Sequence, residues 1–166
     1  ETGEVLEDHI LWVKFSGLDW YKDGFFYSAY DKPEEGSELS KSNEYQKIYY
    51  HKLGTDQSED KLIIGDQSQP KRMFGAEVTD DERFLVLEMS EASSGNALSV
   101  KDLSKKKTEF IPLMESFEFD FNLMDNVGDD IYIKTNYKAP RYRLIKVNIN
   151  HPDEDSWQDI IPEREE

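Results

Sequence analysis

The chain contains no cysteine among its 166 residues, and this absence excludes disulfide bonds, thiolate catalysis and thiolate metal ligands. No apolar run approaches the roughly 20 residues that a membrane-spanning helix needs. Basic residues are also few, because 20 Lys and Arg stand against 36 Asp and Glu and give a net charge of -16. Phosphate binding needs clustered Lys and Arg, so the composition argues against nucleic acid as a partner. We therefore expect neither nucleic-acid binding nor membrane insertion.

Motifs for catalysis and metal binding are lacking as well. No strained G-x-S-x-G segment lifts a serine hydroxyl toward a base, so Ser93 and Ser94 are interpreted as turn residues. His9, His51 and His151 lie far apart and show no paired metal-binding spacing. We interpret His51 and His151 as surface side chains. The sequence predicts no catalytic residue, no metal site and no cofactor in this chain.

Acidic residues cluster in three places, at 56–60, 125–130 and 151–156. None of these clusters fits the calcium-loop pattern D-x-[DN]-x-[DN]-G followed by a Glu. We interpret all three as solvated turns between strands.

Short segments rich in aromatic and β-branched residues recur between polar turns, which is typical of β-strands. Second strands of a repeating unit are predicted at 24–30, 83–89 and 130–137, and third strands at 46–53, 96–103 and 142–149. From Phe84 to Leu98 and from Ile131 to Ile145 the interval is 14 residues, whereas from Phe25 to Ile48 it is 23. The longer interval indicates an insertion. Because it is rich in Pro, Gly, Ser and Glu, we predict a mobile surface loop over 32–44.

The regular intervals predict an all-β fold, a partial β-propeller that makes one domain over residues 1–166. It consists of three four-stranded antiparallel blades at 16–66, 73–115 and 117–163, and of residues 4–8 as the outer strand of a preceding blade. A plain β-sandwich is the alternative fold. Because the chain lacks an initiating Met, we expect it to come from a longer protein.

Aromatic residues are dense around the first predicted blade. They are Trp12, Phe15, Trp20, Phe25, Phe26, Tyr27 and Tyr30. Packing between blades explains such a set; the alternative is that one or two of them project at the propeller rim and contact an apolar ligand.

The segments QKIYYHKLGTDQSED (46–60), FGAEVTDD (74–81) and APRYRLIKVNI (139–149) occur in the order in which similar segments occur in a known family. They resemble the propeller of the prolyl oligopeptidase family, and the resemblance covers essentially the whole chain. It implies a cytoplasmic or periplasmic serine endopeptidase that cuts short peptides after proline. In that family a seven-bladed propeller caps an α/β-hydrolase domain that carries the Ser, Asp and His triad. The resemblance thus implies that this fragment lacks the catalytic domain and that only its parent is an enzyme.

The resemblance also implies substrate-binding positions. Phe15 in WVKFSG and Met73 in RMFGAE match positions that line the third substrate subsite of the family. Ser90 in MSEASSGN stands where many members carry an Arg that binds a substrate carbonyl, so this chain departs from the family pattern there.

Two partners follow from the resemblance: the α/β-hydrolase domain of the parent chain and short proline-containing peptides. The alternative is a stand-alone propeller adaptor that binds a protein or peptide and is not an enzyme. A three-blade piece leaves sheet faces and a strand edge bare, so we also expect the fragment to self-associate.

Overall fold

The structure is a computed structural model that describes residues 3, 5–36, 42–106 and 108–164. The chain forms two compact units, residues 1–76 and 77–166. In the described part of the chain, the helical segments are two three-residue 3-10 turns, Gln57–Glu59 and Glu154–Ser156. No helix in these ranges is long and apolar enough to cross a membrane.

Within the described ranges, twelve strands form three antiparallel sheets of four strands, each in chain order. The first sheet contains β1 (Leu18–Tyr21), β2 (Gly24–Ala29), β3 (Lys47–Lys52) and β4 (Lys61–Gly65). The second contains β5 (Met73–Val78), β6 (Phe84–Ser90), β7 (Ala97–Asp102) and β8 (Ile111–Met114). The third contains β9 (Phe121–Val127), β10 (Asp130–Thr135), β11 (Arg143–Asn148) and β12 (Gln158–Ile161). The predicted all-β fold with three four-stranded sheets is confirmed.

The core of the first unit is built on β2, which is buried at every position. Phe25, Tyr27 and Ala29 form its centre, and the side chains of Ile10 and Tyr49 pack against them. Burial on both faces is expected for a strand that lies inside a sheet and is covered on each side.

The core of the second unit joins the second and third sheets. Phe84 and Val86 from β6 share one hydrophobic cluster with Ile131 and Ile133 from β10 and with Ile145 from β11. Side chains from neighbouring sheets thus pack into one another, as the blades of a propeller do.

The structure differs from the predicted outer strand at 4–8. Glu4 lies outside the described residues, and residues 5–8 have no strand conformation. A strand requires a hydrogen-bonded neighbour, and here the side chain of Asp8 instead accepts hydrogen bonds from His51 and from the N–H of Gly54.

The predicted insertion lies between β2 and β3, in the connection formed by residues 30–46. Residues 37–41 of the predicted 32–44 loop lie outside the described residues. At the base of the connection Lys47 forms an ion pair with Asp31, and the N–H of Tyr45 donates to the carbonyl of Pro70 at 2.8 Å. These contacts fix where the loop leaves and re-enters the sheet.

Candidate functional site

The segment that leads into β1 presents an aromatic ring to solvent. The side chain of Phe15 is 74% exposed, and its backbone has a φ of +53°. This left-handed conformation is rare for a bulky residue and persists only where the surroundings fix it. The contacts that hold the backbone of Phe15 in this conformation therefore matter for how its ring is exposed.

Gln46 supplies those contacts. Its side chain is fully buried, and its Nε2 donates to the carbonyls of Lys14 at 3.0 Å and Phe15 at 3.4 Å. Its Oε1 accepts from the N–H of Phe74 at 2.7 Å. Phe74 directly follows Met73, so one amide joins the backbone at Phe15 to the first residues of β5.

Two further hydrogen-bond sets hold the same segment. The side chain of Gln57 accepts from the N–H of Leu11 at 2.9 Å and donates to its carbonyl at 3.1 Å. The N–H of Ser28 donates to Oγ of Ser16 at 2.7 Å. The exposed ring of Phe15 is thus carried on backbone that is anchored on both sides.

The predicted substrate positions fall in two different units. Met73 begins β5 and is half-buried, and Oγ of Ser28 donates to the carbonyl of the adjacent Phe74 at 2.7 Å. The first unit therefore contains both Phe15 and Met73, linked through Gln46. Ser90 ends β6 in the second unit, where it is half-buried; its role stays a prediction.

Sequence reasoning missed Gln46, because a polar residue at the start of a strand is normally solvated. The one sequence feature that could have indicated its burial is its position as the first residue of a predicted third strand. In the first two predicted blades, the third strand begins with a polar amide residue, Gln46 in one and Asn96 in the other. Both side chains are buried.

The predicted surface position of His51 is wrong, because the residue is 0% exposed. Its Nδ1 lies 2.7 Å from Oδ1 of Asp60, and its Nε2 lies 2.9 Å from Oδ1 of Asp8. The solvated-turn interpretation is also wrong for Asp60, whose side chain is 2% exposed and accepts from the hydroxyl of Tyr27 at 2.6 Å. A buried imidazole is tolerated here because carboxylates bind both of its nitrogens.

The electrostatics of this cluster follow from the same contacts. Burial alone lowers the pKa of His51, but the hydrogen bonds with Asp8 and Asp60 outweigh it and raise the pKa. The hydrogen bond from His51 is in turn the main cause of the lowered pKa of Asp8. Burial, reinforced by the bond to Asp60, raises the pKa of Tyr27.

The hydrogen-bonded cluster of His51, Asp8 and Asp60 is suited to stabilising the fold and not to proton transfer. A general base needs a free nitrogen lone pair within reach of its substrate, and both nitrogens of His51 lie within hydrogen-bond distance of carboxylate oxygens. Across the residues that the structure describes, no group of three or more His, Asp or Glu side chains could hold a metal ion.

The third sheet has an open groove of about 570 Å³ on one face. Its lining includes the apolar side chains of Met124, Leu144 and Ile161, together with four basic side chains. These basic residues are Lys134, Arg141, Arg143 and Arg164. Exposed apolar surface of this kind is typical of a face that another element covers.

Comparisons with known proteins agree with the sheet architecture. The chain matches the family described as "Prolyl oligopeptidase, N-terminal beta-propeller domain" over residues 1–166. It is 49% identical over 167 residues to a prolyl endopeptidase of Elizabethkingia meningoseptica, with 100% of this chain and 24% of that protein aligned. It is 36% identical to prolyl oligopeptidase A of Amanita bisporigera, with 95% of this chain and 22% of that protein aligned.

A solved structure shows the same arrangement of strands. Prolyl oligopeptidase B from Galerina marginata, bound to a 35mer hydrolysis and macrocyclization substrate, superposes with a TM-score of 0.86 at 32% identity. The match covers 96% of this chain and 23% of that one. The chain thus spans about a quarter of the length of the relatives that it matches.

Proposed function

The chain belongs to the family of prolyl oligopeptidase N-terminal β-propeller domains, and we propose that it supplies three blades of a propeller that gates a proline-specific serine endopeptidase. The parent protein hydrolyses short peptides after proline. Its Ser, Asp and His triad lies on an α/β-hydrolase domain outside this chain, so the chain alone does not cleave peptides. The names of the relatives and the peptide-bound neighbour structure support this proposal.

The exposed ring of Phe15 is the observation that carries the proposed role of this segment. An exposed aromatic side chain on strained, anchored backbone lowers stability, and such strain is concentrated at functional sites. We propose that Phe15 and Met73 contact an apolar side chain of the peptide, two residues before its proline. Ser90 offers a neutral hydroxyl, which is a weaker partner for a substrate carbonyl than a charged guanidinium is.

The test begins with the complete open reading frame, expressed and assayed for cleavage after proline. Two fluorogenic peptides are compared, one with Phe and one with Gly two residues before the proline. The selectivity ratio is the kcat/KM for the Phe peptide divided by that for the Gly peptide. We expect Phe15→Ala and Met73→Ala each to lower this ratio by about tenfold, because each removes apolar contact surface from the subsite.

Val127→Ala is the matched control, since Val127 is an exposed apolar residue at the end of β9. It should leave the selectivity ratio unchanged. An open reading frame that ends with the propeller would favour the adaptor alternative and contradict the peptidase. If the enzyme is active but neither Phe15→Ala nor Met73→Ala changes the selectivity ratio, only the proposed contacts of these two residues are contradicted. The cytoplasmic or periplasmic location stays a prediction.

A further inference from the structure

We propose that Gln46 is a positioning residue that fixes Phe15 and Met73 relative to each other and thereby sets the selectivity of the peptide subsite. This inference rests on the proposed function of Phe15 and Met73. Gln46 itself is fully buried, so it acts through its backbone contacts at Phe15 and at Phe74, the residue after Met73, and not by touching the peptide.

The chemistry of the contact requires an amide of this length. Oε1 must accept from the N–H of Phe74, while Nε2 must donate to the carbonyls of Lys14 and Phe15. A carboxylate could accept but not donate, an ammonium could donate but not accept, and an aliphatic side chain could do neither. Since every partner is a backbone atom, Gln46 controls where these residues lie.

The second unit shows what a purely structural version of this contact looks like. Asn96 precedes β7 as Gln46 precedes β3. Its Nδ2 donates to the carbonyl of Phe121 at 2.7 Å, and its Oδ1 accepts from the N–H of the same residue at 2.8 Å. Phe121 is the first residue of β9, so Asn96 holds the first strand of the next sheet with both ends of its amide.

Gln46 differs from Asn96 in one respect. Its oxygen holds the first strand of the next sheet, at Phe74, as the oxygen of Asn96 holds Phe121. Its nitrogen, extended by one methylene, donates instead to the segment that carries Phe15. Gln46 and Asn96 therefore both hold the first strand of the next sheet through their side-chain oxygen. Of these two residues, only Gln46 also bonds to the backbone at Phe15. This difference makes Asn96 the matched control.

The experiment uses the full-length protein with Gln46→Met, Gln46→Glu and Asn96→Leu variants, and measures the same selectivity ratio. Gln46→Met removes donor and acceptor at similar volume, and we expect the ratio to fall by about tenfold because the subsite loses its geometry. A peptide too short to reach this subsite should keep its kcat. Asn96→Leu should lower the midpoint of urea unfolding but leave the selectivity ratio unchanged.

Gln46→Glu adds a second measurement, the pH dependence of the selectivity ratio, which a general loss of stability would not change. The carboxyl group that this substitution introduces still accepts from the N–H of Phe74, and only its protonated form can donate to the carbonyl of Phe15. We therefore expect the selectivity ratio of this variant to rise toward the original value as the pH is lowered. Both peptides are measured at each pH, so the catalytic pH dependence of the enzyme cancels from the ratio.

The outcomes separate this inference from the proposed function. If Phe15→Ala and Met73→Ala change the ratio but Gln46→Met does not, Gln46 has no positioning role and the proposed contacts stand. Equal changes for Gln46→Met and Asn96→Leu would reduce Gln46 to a general structural residue. If neither Phe15→Ala nor Met73→Ala changes the ratio, the proposed contacts fail. If Gln46→Met does not fold, the Gln46→Glu variant decides the question. A selectivity ratio equal to that of the original protein at every pH would overturn the inference.

Discussion

Nε2 of His51 lies 2.9 Å from Oδ1 of Asp8, a residue 43 positions earlier in the chain. The opposite ring nitrogen lies 2.7 Å from Asp60, which precedes β4. One buried imidazole ring therefore joins the end of β3 both to its own sheet and to the segment that precedes β1. The same segment carries Phe15, so this buried cluster stabilises the backbone on which the exposed ring is presented.

Replacing His51 by Leu should lower the free energy of unfolding by about 3 kcal/mol, because removing one partner of a buried ion pair leaves the other charge uncompensated. Urea unfolding of the chain, followed by tryptophan fluorescence, measures the change. His151→Leu is the control, because His151 is exposed. Equal losses for the two variants would show that the contacts of His51 contribute nothing specific.

The stabilisation by this cluster should depend on pH in a defined window. The pKa of His51 is raised in the folded state, so its contribution is complete below the unfolded value of about 6.5 and is lost as the pH rises through the folded value. The pKa of Asp8 is lowered from 3.8, so its contribution is present above that value and is lost as the pH falls through the folded one. The difference in unfolding free energy between the original chain and His51→Leu should therefore be largest between about pH 4 and pH 6.5. A difference that grows above pH 7 would contradict a charged His51.

The fold could be predicted because sheet topology leaves a direct trace in the spacing of apolar residues. Phe84 and Leu98 lie on β6 and β7, and Ile131 and Ile145 lie on β10 and β11. Each pair of strands is adjacent and antiparallel, as the equal intervals of 14 residues indicated. Short apolar segments at regular intervals and the polar turns between them are local properties, and a single sequence contains them.

The buried polar contacts could not be predicted in the same way. Gln46, His51 and Asp60 sit next to turns, where polar residues usually face solvent. Their burial depends on partners that are distant in sequence, such as Phe74 for Gln46 and Asp8 for His51. No periodicity encodes such a contact, so a polar residue at a strand end is interpreted as solvated until the tertiary structure brings its partner near.

The 166-residue chain should self-associate through the apolar groove on the third sheet. Met124 is 54% exposed and Ile161 is 51% exposed, and burying such surface against a second copy is favourable. Light scattering should give a mass above 19.4 kDa, and Met124→Lys should lower it toward the monomer. Val127→Lys, at an exposed apolar position outside the groove, should not. A monomer at high concentration would contradict this expectation.

Gly95 should tolerate substitution far less well than Gly128, although both have left-handed backbone, with φ of +76° and +61°. A Cβ added at Gly95 would lie 2.0 Å from the carbonyl oxygen of Phe117, whereas nothing lies within 4 Å of one added at Gly128. Gly128→Ala therefore carries only the left-handed backbone penalty of about 1–2 kcal/mol.

Gly95→Ala must in addition displace backbone that several hydrogen bonds hold in place. The N–H of Gly95 donates to Oδ1 of Asp120 at 3.0 Å, and the next residue, Asn96, holds Phe121 through both ends of its amide. We expect Gly95→Ala to lower the unfolding free energy by at least about 2 kcal/mol more than Gly128→Ala does, in the range of severe backbone and packing defects. Urea unfolding of the two variants side by side measures the difference. Equal losses would mean that the turn at Gly95 moves freely away from Phe117, and the close approach between this turn and the connection before β9 would then contribute little to stability.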